Sequence, residues 1–201
     1  NNTSAATISA KLAGSGVALT KSGSGTLTLS GANTYTGDTL IDDGTLAYGR
    51  SDALSTGGVI VNGTSAILDL GVNYVTVGAV TIGDLGGSIT GSSGILTASS
   101  YTINNTSAAT ISAKLAGTNV ALTKSGAGTL TLSGANTYTG NTTISAGTLN
   151  LGIAQNGNTS GPMGVATVAG SIVMNGGTLQ YSATNTTDYS SRVSTAASQQ
   201  Y

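Results

Sequence analysis

Residues 1 to 49 of this 201-residue chain recur at 104 to 152, an offset of 103, with 40 of 49 positions identical. The word GTLTLSGANTYTG runs unchanged from Gly25 to Gly37 and again from Gly128 to Gly140. Beyond residue 152 the copies diverge, with a faint echo of Gly58 to Gly71 in Gly170 to Ser182. A duplication of this length predicts a repeat architecture, in which each unit buries its apolar side only against its neighbours. The division expected is therefore 1–103 and 104–201, within one continuous segment of a longer array.

Inside each copy the apolar residues alternate over very short runs, the mark of strands with one buried face. Ile8, Ala10 and Leu12 alternate with Ser9 and Lys11; Leu27 and Leu29 alternate with Thr26, Thr28 and Ser30. By this parity Leu27, Leu29, Leu130 and Leu132 point inward, and Thr26, Thr28, Thr129 and Thr131 point outward. Turn words such as Gly14-Ser15-Gly16, Asp42-Asp43-Gly44 and Asn62-Gly63 interrupt the strands, and Gly and Asn accept the left-handed backbone of sharp corners. The tail from Ser190 to Tyr201 reads as strand-poor.

Two architectures suit many short strands: an antiparallel sandwich and a parallel β-helix. A sandwich fills a gap of about 10 Å between its sheets with bulky side chains. This chain has no Phe or Trp, and its aromatic residues are eight tyrosines. A β-helix needs only a narrow core of Val, Leu, Ile and Ala, because its coils stack at about 4.8 Å. The expected fold is all-β, a parallel β-helix with internal repeats. Ladders of Asn and Thr side chains at equivalent positions of successive coils are expected with it.

The same words carry a family resemblance. LTKSGSGTLTLSGANTYTGDT (Leu19 to Thr39) and LTKSGAGTLTLSGANTYTGNTTISAGTLNLG (Leu122 to Gly152) resemble the autotransporter-associated β-strand repeat, also called the passenger-associated transport repeat. The resemblance implies a large surface or secreted protein of Gram-negative-type bacteria, built on a right-handed parallel β-helix and serving as an adhesin or stalk. The segment holds no C-terminal β-barrel of its own, and the resemblance names no ligand.

The chemistry available is limited. There is no Cys or His, which removes the thiol nucleophile, the imidazole base and the commonest soft metal ligands. Asp42 and Asp43, with Asp38 nearby, form the only acidic cluster; their counterparts Asn141, Ser145 and Ala146 cannot ionise, so the repeat does not need them. Neighbours in a strand also face opposite ways. The chain is thus expected not to be an enzyme, and to require no cofactor or metal. A polysaccharide-processing enzyme is the weakest of three functional readings.

Net charge is −1 with scattered lysines, which argues against a nucleic-acid partner, since phosphate binding needs a basic footprint. The apolar runs are far too short to cross a bilayer as helices, so no membrane insertion is expected in this segment. Lys21 with Lys124, and Lys11 with Lys114, are read as residues of the outer face or strand ends that discourage lateral sheet pairing. Tyr35 and Tyr138, in the repeated Asn-Thr-Tyr-Thr-Gly corner, are read as lids on a thin core with wet hydroxyls, and as interface candidates together with Ile8. The leading functional expectation is a structural stalk or filament segment, extracellular or on the bacterial cell surface, whose partner is itself. The alternative is an adhesin that binds surface glycans or host matrix.

Overall fold

The computed structural model describes residues 1–195 except 52, 54, 55, 166 and 167; the end of the strand-poor tail, 196–201, lies outside the described residues. Every named strand pairs in parallel with the coil above or below it. Parallel neighbours one coil apart in sequence make a parallel β-solenoid, and the described residues hold no α-helix, only a short 3₁₀ turn at Ser190–Arg192.

Three faces enclose the core. The first is a nine-stranded sheet that runs from Ala6–Ile8 through Thr26–Leu29, Thr45–Tyr48, Ile67–Asp69, Gly87–Thr90, Ala109–Ile111, Thr129–Leu132 and Thr148–Leu151 to Thr178–Tyr181. The second is an eight-stranded sheet from Leu19–Lys21 to Ile172–Met174. The third is interrupted: Ala13–Gly14 pairs with Thr34–Tyr35, and Tyr74–Thr76, Ile95–Thr97 and Lys114–Ala116 form a three-stranded patch.

Parity places the core as the alternation requires. Val59, Val61, Val80, Ile82, Ile103 and Leu122 of the eight-stranded sheet are buried, while Ile60, Thr81, Thr102 and Thr123 between them are half-buried on the outer side. Leu29, Leu130 and Leu132 are buried as expected, and Thr26, Thr28, Thr129 and Thr131 are half-buried. Leu27 is only half-buried, because the single strand beyond it offers Ala6 as its partner.

Coil length is nearly constant and then jumps. Inward partners of the eight-stranded sheet, Leu19, Thr39, Val59, Val80, Tyr101, Leu122 and Thr142, lie 20 or 21 residues apart, but Thr142 and Ile172 are 30 apart. The two sequence copies are five coils apart, and in this sheet Leu19 stands in the same column as Leu122. In the nine-stranded sheet they do not align: the partners of Leu27 run through Leu46, Leu68, Ile89 and Ile111 to Leu132, two residues past its sequence counterpart Leu130. An even slip keeps every side chain on its own face, which is why the alternation tolerates it.

Candidate functional site

The residues that make the repeat recognisable are turned inward. Lys21 belongs to the strand Leu19–Lys21, one period beyond Leu19, and in its column Ile41, Val61, Ile82 and Ile103 precede Lys124. Both lysines are buried, at 1% and 0% exposed. This corrects the outer-face expectation for the pair: the four-carbon stem replaces an isoleucine in the core, and the ammonium bends into the adjoining corner. Lys21 Nζ donates to Gly23 O at 2.5 Å and to Asp43 O at 2.9 Å. Lys124 Nζ donates to Gly126 O, with Ala146 O at 3.5 Å. Since the acceptor at 43 is the backbone carbonyl, Asp43 can become Ala146 without loss of the cradle. Burial lowers the pKa of both lysines, and the nearby Asp43 partly restores that of Lys21. Lys11 and Lys114 do lie on the outer side, exposed and half-buried.

Gly44 closes the lysine corner. Its φ is +63°, and a Cβ there would strike the carbonyls of Gly23 and Gly25 and the ammonium of Lys21. Gly147 repeats the arrangement at φ +65° against Gly126 and Gly128. Only glycine fits the Gly-Thr-Leu word that ends each repeat.

The Asn-Thr-Tyr-Thr corner fastens three coils. Asn33 Oδ1 accepts from Leu12 N–H at 2.7 Å in the preceding coil, and its Nδ2 donates to Ala53 O in the following one. Asn136 does the same with Leu115 N–H at 2.8 Å and Pro162 O at 2.7 Å. These asparagines bond backbone rather than one another, so they act as staples and not as the side-chain ladder expected.

Tyr35 and Tyr138 are buried, at 1% and 0% exposed, and each hydroxyl lies 2.8 Å from a threonine hydroxyl four residues on, Thr39 or Thr142. The hydroxyls are therefore dry, contrary to the expectation of a wet tip, and the rings offer no open face for stacking. Tyr138 packs at 6.1 Å from the ring of Tyr101, and burial pushes its pKa up to about 12. Thr36 and Thr139 cap the turn of the previous coil by accepting, at 2.8 Å, from Gly16 N–H and Asn119 N–H. Both turn residues have positive φ, +69° and +58°, so a Gly-to-Asn difference between the copies is conservative.

The acidic cluster is not assembled into a site. Asp38 and Asp42 are exposed, and Asp43 is half-buried. Asp38 accepts from Gly58 N–H and Asp43 from Gly44 N–H, both at 2.8 Å, so each shapes a turn. Among the described residues no group of three or more acidic side chains is placed to hold a metal ion. Ile8 is half-buried in the outermost strand of the nine-stranded sheet.

One concavity was not singled out from the sequence. It lies where the last coil lengthens, between the segment around Gln155 to Val165 and that around Thr187 to Arg192, and encloses about 370 Å³. A lone arginine in a strand-poor tail carries no spacing signal, so nothing in the pattern marks it.

A family model described as the passenger-associated-transport-repeat matches residues 19–47 and 122–151. A curated relative, the "Adhesin BmaC autotransporter" of Brucella suis biovar 1 (strain 1330), is 41% identical over 103 residues, covering 50% of this chain and 3% of the relative. The chain thus spans a small part of the relative it matches, and no solved structure matches it. The residues of both matched segments are the ones that build the lysine cradle, the asparagine staple and the tyrosine–threonine pair. This chain is a parallel β-solenoid with two segments, residues 19–47 and 122–151, that match the passenger-associated-transport-repeat.

Proposed function

We propose that this segment is a non-catalytic shaft in a bacterial surface passenger protein, one continuous stretch of a longer array that sets distance rather than chemistry. The observation that carries this reading is the inward turn of the repeated words. Lys21, Asn33, Tyr35 and Thr39, with Lys124, Asn136, Tyr138 and Thr142, are all buried and bonded within the coil stack. What the word leaves outside is small, including Thr26, Thr28, Ala32 and Thr34, with no charged or aromatic side chain among them. Each five-coil period advances the shaft by about 24 Å at 4.8 Å per coil.

A tandem duplication of the 103-residue period tests this. Small-angle scattering should show the maximum dimension growing by about 24 Å per added period, with one cooperative melt. Unchanged length, or loss of folding, overturns the reading. Self-association through the coil ends belongs to the same proposal. Ile8→Asp, in the outermost strand, should then lower association measured by sedimentation more than Thr76→Asp in the middle.

The alternative, an adhesin segment, is supported by the likeness to a protein described as an adhesin. Specific binding of a glycan or matrix array by the outward faces of the regular coils, retained when the irregular last coil is altered, would favour it over the shaft.

A further inference from the structure

The concavity lies in the lengthened coil, and its chemistry points to a ligand. Arg192 lines it and is 9% exposed. Its Nη2 donates to Met163 O at 2.8 Å, its Nε to Ser171 Oγ at 3.2 Å, and its guanidinium lies 5.7 Å from the centre of the Tyr189 ring. Of five N–H donors, three have no acceptor among the described residues, and no carboxylate there pairs with the charge. Asp188, the nearest acid in sequence, is exposed and accepts instead from Ser190 N–H at 2.8 Å. The charge is held only by neutral groups, and a guanidinium fork matches a carboxylate in charge and geometry.

The surroundings are built and largely fixed. Tyr189 is buried; its hydroxyl donates to Gln155 Oε1 at 3.2 Å and lies 3.0 Å from Asn185 Nδ2, which also holds Ile153 O at 2.7 Å. Gln155 Nε2 donates to Gly157 O at 2.9 Å. Asn158, exposed at the rim, and half-buried Thr187 present polar groups of the kind that bond hydroxyls, while Val165 supplies an apolar wall. The volume, near the lower end for small-molecule sites, suits one sugar ring.

We propose that this cleft binds an acidic sugar of the hexuronate type, with Arg192 clamping the carboxylate and Asn158 and Thr187 reading the hydroxyls. This site is separate from the shaft reading: failure to bind would leave the length test untouched, and failure of the length test would leave the binding intact.

Calorimetric titration of the full chain with D-galacturonate, D-galactose and acetate tests it. Galacturonate should bind saturably, at least tenfold more tightly than either galactose or acetate, and more weakly as salt is added. Arg192→Gln should reduce galacturonate affinity at least tenfold with an unchanged circular dichroism spectrum. Should that variant fail to fold, Asn158→Trp, an exposed rim change that fills the mouth, should abolish binding without moving the melt. Equal binding of galactose, acetate binding as tightly as galacturonate, no galacturonate binding to the unaltered chain, or full affinity in the folded variants would each overturn the proposal.

Discussion

Leu130 and Leu27 are the same letter of the same repeated word, and so are Leu115 and Leu12, or Leu122 and Leu19. The members at 115, 122 and 130 are fully buried, whereas those at 12, 19 and 27 are half-buried. The polar fasteners do not show this gradient: Asn33 and Asn136 make matching bonds, as do Tyr35 and Tyr138. Apolar burial in a solenoid is thus a property of the stack, set by how many coils lie beyond a residue and how large a side chain the neighbouring coil offers. Hydrogen bonding by the repeated word is local, complete within the coils it touches.

The largest expected effect comes from charge in the stacked copy. Leu130→Asp should destabilise by about 3–5 kcal/mol, as an uncompensated buried charge does, and Leu27→Asp by roughly half as much or less, read from urea melts. Equal losses would break the contrast between the copies. Next, Asn33→Ala and Asn136→Ala should cost about 1–3 kcal/mol each, and by similar amounts, since each strands a buried N–H and a carbonyl. A clear difference between them would show that the staples, too, depend on their place in the stack.

Tyr138→Phe should cost about 1 kcal/mol near neutrality, the worth of one hydrogen bond. It also has a pH signature. The pKa of Tyr138 is raised from 10.0 to about 12 in the folded chain, so the folded state holds a proton that the unfolded state has lost. Its contribution is fully present below pH 10 and disappears as pH rises toward 12. Alkaline melts of Tyr138→Phe should lack that part of the decline. Smallest of all, Thr131→Ser, on the outer side, should stay within about 0.5 kcal/mol of the unaltered chain.

The alternation of Leu27 and Leu29 with Thr26 and Thr28, and the absence of bulky aromatics, were enough to place the strands and to choose stacked coils over a sandwich. The same parity also held the answer for the lysines. Lys21 is two residues beyond Leu19, so it shares the inward face, yet a charged residue is ordinarily assigned to the outside. What could not be read from the pattern is the ring of corner carbonyls that receives the ammonium, because carbonyl direction depends on φ at Gly44 and on the coil beyond. The tyrosine hydroxyls were misplaced for a related reason: their partners, Thr39 and Thr142, begin strands of a different face. Arg192 and Gln155 are brought together from positions 37 apart by one irregular coil, with no repeat against which to compare them.

The two-residue slip between Leu27 and Leu132 has a consequence for anything that touches the outside. At about 3.3 Å per residue, identical words five coils apart are offset sideways by roughly 7 Å on the nine-stranded sheet, while on the eight-stranded sheet they stay aligned. If each further period slipped equally, the outward threonines Thr28 and Thr131 would mark a slanting course across that face, like the stripe on a barber's pole. Because the word spaces its threonines two residues apart, the slip brings Thr26 rather than Thr28 into the column of Thr131, so a rigid planar lattice of binding groups, such as an ice surface or a crystalline polysaccharide, would meet one shared threonine column and not the pair. A flexible chain laid obliquely across the shaft could follow the pair.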